Sequence, residues 1–182
     1  MRFERLEIND IVMVEPRVHG DARGFFLESW QERNFAKAGI DAKFVQDNYS
    51  HSVRNTLRGL HYQLLRPQGK LVRVVHGEVF DVAVDVRRQS LTFGKWIGTA
   101  LSAENHRALW IPPGFAHGFL VLSESADLLY KVTDYYNPGD EVCLRWNDPQ
   151  IGIDWPLPAG DEPLLSQKDA EGGLLAEVEV FA

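Results

Sequence analysis

The sequence predicts an all-β protein closed into a barrel or jelly roll. Strand-like runs with alternating side chains recur from residue 11 to residue 133. Turn residues separate them at the spacing of a β-sandwich or barrel, and only two helix starts are legible. Many strands with few helices leave sheet edges to be managed, which closure does.

Taken in order, Ile11 to Val14 is a short β-prone run and Phe25 to Leu27 another. Ser29-Trp30-Gln31-Glu32 has the pattern of a capping box, and Gly39 can end the helix it would start. Leu57, Gly59, His61 and Gln63 would share one face of a strand, placing two polar groups toward the interior. Lys70 to Val75, the His76-Gly77 turn and Glu78 to Val86 read as a hairpin. In its second arm Phe80, Val82, Val84 and Val86 alternate with Val79, Asp81, Ala83 and Asp85, a period of two with one strongly apolar face. Ile97 to Leu101, Ala108 to Ile111, Gly118 to Leu122 and Leu128 to Thr133 continue the pattern. Ser166-Gln167-Lys168-Asp169 predicts a second helix start.

Length and composition bound the rest. The 182 residues suit one domain, 1–182, with 45% hydrophobic and 25% charged residues. The formal charge of −7 argues against a general nucleic-acid binder, which would carry a basic surplus. A pocket can still be locally basic. Cys143 is the only cysteine, so no intrachain disulfide forms and cysteines alone cannot frame a zinc site. Met1 to Asp10 mixes charges and lacks an apolar leader core, and no run approaches a membrane span. The expectation is a cytoplasmic protein with no membrane partner.

Five clusters could carry chemistry. In Arg58-Gly59-Leu60-His61-Tyr62-Gln63, His61 is either a buried histidine satisfied by a neighbour or a base. Arg58 and Lys70 nearby suit an anionic or enolising substrate. In Trp110 to Phe119, Pro112, Pro113 and Gly114 set a tight turn before His117, which is structural or functional. Tyr130 shares a face with Leu128 and Val132 and should point inward, as a core hydrogen-bonding group or as an acid. Asp169 can favour the helix N-terminus or orient a histidine. In Asp21 to Glu28, Arg23 is a surface side chain or an anion contact presented on a loop.

These clusters occur together, and in this order, in one family. The chain resembles dTDP-4-dehydrorhamnose 3,5-epimerases over nearly its full length. The matching segments include Gly20 to Glu28, Phe44 to Asn48, Leu57 to Gln63, Gly69 to Arg73, Gly77 to Asp85, Trp110 to Phe119 and Trp146-Asn147-Asp148-Pro149. One departure is Leu91, where the family usually has proline after Ser90. The resemblance implies a cupin-like double-stranded β-barrel with two or three short peripheral helices, a homodimer, and no cofactor or metal. It implies His61 as general base, Asp169 as its orienting partner, Tyr130 as the opposing acid and Lys70 as the cation that stabilises an enolate. It places Arg23, Glu28, Gln46, Asp47, Asn48, Arg58, His117, Glu141 and Lys168 along a sugar-nucleotide site. The substrate implied is dTDP-4-dehydro-6-deoxy-α-D-glucose, epimerised at C3 and C5.

Three alternatives stand beside it. His117 after the proline turn is also similar to a metal motif of cupins. Metal cupins usually offer two histidines separated by one residue, whereas this chain has His61-Tyr62-Gln63. A nucleotide-sugar binding module would not need base, acid and enolate cation together. A sister enzyme acting at C3 alone or C5 alone would share the same residues.

Overall fold

A computed structural model describes residues 1–158 and 160–182. The chain runs β1 (Arg2–Arg5), β2 (Val12–Glu15), β3 (Val18–Asp21), β4 (Gly24–Leu27), α1 (Glu32–Lys37), β5 (Gln46–Val53), β6 (Leu57–Gln63), β7 (Lys70–His76), β8 (Glu78–Asp85), β9 (Trp96–Ser102), β10 (Ala108–Ile111), β11 (Phe115–Val121) and β12 (Ser125–Val132). A 3-10 turn (Pro138–Asp140), β13 (Glu141–Cys143) and α2 (Gln167–Ala170) follow. Two antiparallel sheets form the body, in the orders β1-β2-β10-β7-β12-β5 and β13-β6-β11-β8-β9. The all-β expectation holds, and no described helix is long and apolar enough to cross a membrane.

The central strands β7, β8, β10 and β11 bury side chains on both faces, because their outer faces are covered too. Between the sheets lie Val72 and Val74 of β7, Val79 and Ala83 of β8, Leu109 and Ile111 of β10, Phe115 and Phe119 of β11, and Leu128 of β12. Outside the five-stranded sheet, Val82 and Val84 of β8 and Leu60 of β6 pack against Ile151, Trp155 and Leu175 of the C-terminal segment. The strongly apolar face of Phe80, Val82 and Val84 therefore turns away from the barrel interior. Outside the six-stranded sheet, Val12, Val14, Leu71 and Trp110 pack against Phe35 and Ile40.

The helices differ in how well they were legible. α1 begins at Glu32 with Gln31 at its N-cap and no side-chain cap, so Ser29 does not cap it. Gly39, at φ +81°, ends the helix as expected. Its N–H bonds Ala36 O at 3.0 Å while Ile40 N bonds Phe35 O at 2.9 Å, a Schellman pair. Ser166 does cap α2, accepting from Asp169 N.

β6 departs from simple alternation. Opposite it in β11, His117 pairs His61 and Phe119 pairs Arg58, so three residues of β6 span two of β11. This bulge sends Leu57, Leu60 and Tyr62 to the outer apolar layer and turns both Arg58 and His61 toward the interior. The expectation that Leu57, Gly59, His61 and Gln63 share one inward face is corrected accordingly.

Candidate active site

The barrel interior is apolar along most of its length and polar at one end, where a cavity of about 530 Å³ opens. That volume lies in the usual range for small-molecule sites. One wall comes from the five-stranded sheet with His61, Arg58 and His117, and the opposite wall from the six-stranded sheet with Lys70, Tyr130, Gln46 and Asn48. Glu141, Lys168 and Asp169 close the rim from the segment after β12.

His61 is held from behind. Its Nε2 lies 2.6 Å from Asp169 Oδ1, and Ser166 Oγ donates to Asp169 Oδ2 at 2.7 Å. An ionised carboxylate only accepts, so Nε2 carries the hydrogen and Nδ1 is left with the free lone pair. Burial by itself would raise Asp169, but the hydrogen bonds from His61 and Ser166 hold it down at about 2. Asp169 thus fills both of its possible roles, as N3 residue of α2 and as partner of the histidine.

Nδ1 faces Glu141, whose Oε1 is 3.8 Å away. Glu141 in turn accepts from Lys168 Nζ at 2.7 Å and from Tyr136 Oη at 3.1 Å. Burial opposes its ionisation, yet Lys168 and His61 lower its pKa below the ordinary carboxylate value.

Lys70 is 9% exposed and donates to the carbonyl of His61 at 3.1 Å. Burial lowers it to about 8, with Glu141 and Asp81 opposing that fall. Tyr130 is raised by burial, so its hydroxyl keeps its proton. His117 Nε2 lies 2.9 Å from the fully buried Asp81, while burial lowers the histidine's pKa and favours its neutral form. Arg58 is braced by Ser52 Oγ at 2.9 Å and by the carbonyl of His51 at 3.3 Å. Arg58, Lys70 and Lys168 make this end of an acidic protein locally cationic.

The structure brings together ten of the thirteen sequence-predicted site residues: His61, Lys70, Tyr130, Asp169, Gln46, Asn48, Arg58, His117, Glu141 and Lys168. It does not bring in Asp47, Arg23 or Glu28. Asp47 sits between Gln46 and Asn48 on a strand, so it faces outward, where Lys131 Nζ binds it at 2.9 Å. Arg23 lies on the β3–β4 hairpin and pairs with Asp21 at 2.5 Å. Glu28 follows that hairpin and accepts from Asn34 at 3.0 Å. Gln63 is committed elsewhere, donating to the carbonyls of Arg66 and Tyr135 and accepting from Asn137 N. Residues that sequence reasoning missed are Tyr136 at the rim and Asp81 behind His117. The alternation of β8, with Asp81 opposite its apolar face, was the available signal for the second.

Cys143 stands beside the His61–Asp169 pair, its Sγ 3.9 Å from Asp169 Oδ1. Burial, then the Asp169 charge, pushes the thiol up to about 12.

The profile of the dTDP-4-dehydrorhamnose 3,5-epimerase family matches residues 5–177. A dTDP-4-dehydrorhamnose 3,5-epimerase of Pseudomonas aeruginosa is 58% identical over 182 residues, covering 100% of this chain and 99% of its own. The crystal structure of dTDP-6-deoxy-D-glucose-3,5-epimerase from Legionella pneumophila, in complex with dTDP-4-keto-L-rhamnose, aligns with TM-score 0.94 and 52% identity over 98% of this chain and 94% of that one. That of a Bacillus anthracis dTDP-4-dehydrorhamnose 3,5-epimerase with TDP and PPi bound aligns with TM-score 0.91 and 42% identity, over 95% and 98% of the two chains.

Proposed function

The chain belongs to the dTDP-4-dehydrorhamnose 3,5-epimerase family and is an isomerase of that kind, and we propose that it works with His61 as base and Tyr130 as acid on opposite faces of one sugar ring. The substrate is dTDP-4-dehydro-6-deoxy-α-D-glucose, inverted at C3 and C5. The observation that carries this reading is the division of the cavity: His61 belongs to one sheet, Tyr130 and Lys70 to the other.

The C4 ketone acidifies the hydrogens on C3 and C5. His61 Nδ1 removes one as a proton, and the electrons of that C–H bond pass to the C4 oxygen as an enolate. Asp169 stabilises the imidazolium, and the Lys70 ammonium stabilises the enolate charge as it develops. Tyr130 then delivers its hydroxyl proton to the same carbon from the other face, and the ketone re-forms inverted. These are proton transfers and need no electron carrier. Arg58 and Lys168 suit the diphosphate.

The enzyme is read as a homodimer. The β3–β4 hairpin belongs to neither large sheet and leaves Phe25 61% and Phe26 71% exposed. Arg23 and Glu28, expected at the site, lie on or beside that hairpin and outside the chain's own cavity. A two-fold pairing that carries the hairpin to the partner's cavity accounts for both facts.

Turnover in D2O, read by NMR at C3 and C5, tests the acid–base assignment. His61→Asn should lose both deuterium uptake and product. Tyr130→Phe should still form the enolate and take up deuterium with retained configuration, while net inversion slows by roughly 10²–10⁴-fold. Exchange at the wild-type rate in a folded His61→Asn protein would sink the assignment.

A further inference from the structure

We propose that His61, Asp169 and Cys143 form an inhibitory site for a thiophilic divalent cation, zinc above all, at the Nε2 edge of the histidine. One ring nitrogen of His61, one carboxylate oxygen of Asp169 and Cys143 Sγ all lie within 4.8 Å of one another. Nitrogen, oxygen and sulfur are the donor set zinc takes from proteins, with bonds of about 2.0–2.3 Å that put two donors about 3.3–3.8 Å apart. The Sγ–Oδ1 separation of 3.9 Å nearly meets that already. The Nε2–Oδ1 contact of 2.6 Å must open, which a modest rotation of either side chain does once the hydrogen between them leaves. Water completes the shell. On binding, the thiol gives its proton to solvent, and the imidazole exchanges its Nε2 hydrogen through solvent for one on Nδ1, so one proton is released in all and the cation takes the place of the Nε2 hydrogen.

Access comes from outside. Cys143, Ser166, Gln167, Lys168 and Glu171 line an open depression that adjoins the substrate cavity along Ser166 and Lys168. β13 places Cys143 directly opposite His61 of β6, so the thiol reaches the back of the imidazole.

The consequence for the reaction follows from imidazole chemistry. A cation on Nε2 occupies the lone pair there and leaves Nδ1 as the N–H nitrogen. Nδ1 is the atom that must accept the proton from C3 or C5. Zinc therefore removes the base while leaving the cavity open. The inhibition half of this inference rests on His61 being the base, and the binding half does not.

Two measurements separate these halves. Cobalt, added to protein purified without chelator, should develop a sulfur-to-metal charge-transfer band in the near ultraviolet that EDTA abolishes and Cys143→Ser lacks. That readout needs no turnover. In the epimerisation assay, zinc should lower kcat with KM nearly unchanged, reversibly with EDTA, and Cys143→Ser should keep basal activity while needing about tenfold or more zinc for the same inhibition. No band with cobalt would overturn the site. Equal zinc sensitivity in Cys143→Ser, or a rise in KM alone, would place the cation elsewhere and overturn the inhibition. A band with no loss of turnover would leave the cation site standing and count against His61 as base.

Discussion

Lys70 holds a positive charge where charge is costly. Burial brings its pKa to about 8, and in the proposed mechanism only its ammonium form would stabilise the enolate oxygen. The active form therefore exists below that value and is lost as pH rises through it. We expect kcat/KM to fall on the alkaline side with an apparent pKa near 8. Lys70→Arg keeps a cation that does not deprotonate. Its rate should be lower, because the fork cannot reproduce a point charge, but the falling limb near pH 8 should vanish. A limb of the same position in the arginine variant would assign it to another group. Lys70→Ala should cost kcat about 10²–10³-fold, since charge on the C4 oxygen exists mainly in the transition state.

At the scale of the element, the bulge in β6 makes the site, and it depends on Gly59. Gly59 has φ +124°, and a Cβ there would lie 2.5 Å from Gly118 Cα and 2.8 Å from His117 O, both backbone. Neither strand can give way without moving His61 or His117. Gly59→Ala should cost about 2–4 kcal/mol and lower kcat as well, whereas Gly139→Ala, whose Cβ meets only Asn137 Oδ1 at 3.6 Å, should melt within error of the wild type. Thermal unfolding of the two variants checks this, and an unperturbed Gly59→Ala protein would remove the bulge from the argument.

The same strand marks where sequence reading stops. The apolar strands were legible within a few residues, β10 at Ala108–Ile111 included, because period-two burial is a local pattern, whereas the polar β5 at Gln46–Val53 and the short β1, β3 and β13 were not read. The bulge was not, because one extra residue reverses the alternation and only pairing with β11 reveals it. Ser29 misled for the opposite reason: the capping pattern is local, but the helix starts two residues after it could cap. Asp169 was nameable as a partner of a histidine, but the contact spans 108 residues and needed the fold to bring it about. Asp47 entered the expected site through the family resemblance, and strand geometry alone would have turned it outward.

For the whole molecule, the hairpin of β3 and β4 belongs to neither large sheet, and in the proposed dimer it would serve the neighbouring chain. Light scattering should give about twice the 20.7 kDa chain mass. A stricter test treats variants as alleles. If Arg23 serves the neighbouring cavity, Arg23→Ala and His61→Asn are defects in different halves of one site, and each alone spoils every site in its own dimers. Denatured together and refolded as a mixture, half of the dimers pair one chain of each kind. Each such dimer holds one cavity with both defects and one with neither, so about a quarter of the sites should be whole. Two dead proteins would then complement one another in a single tube. Failure to recover activity above the two separate residuals would return Arg23 to its own chain.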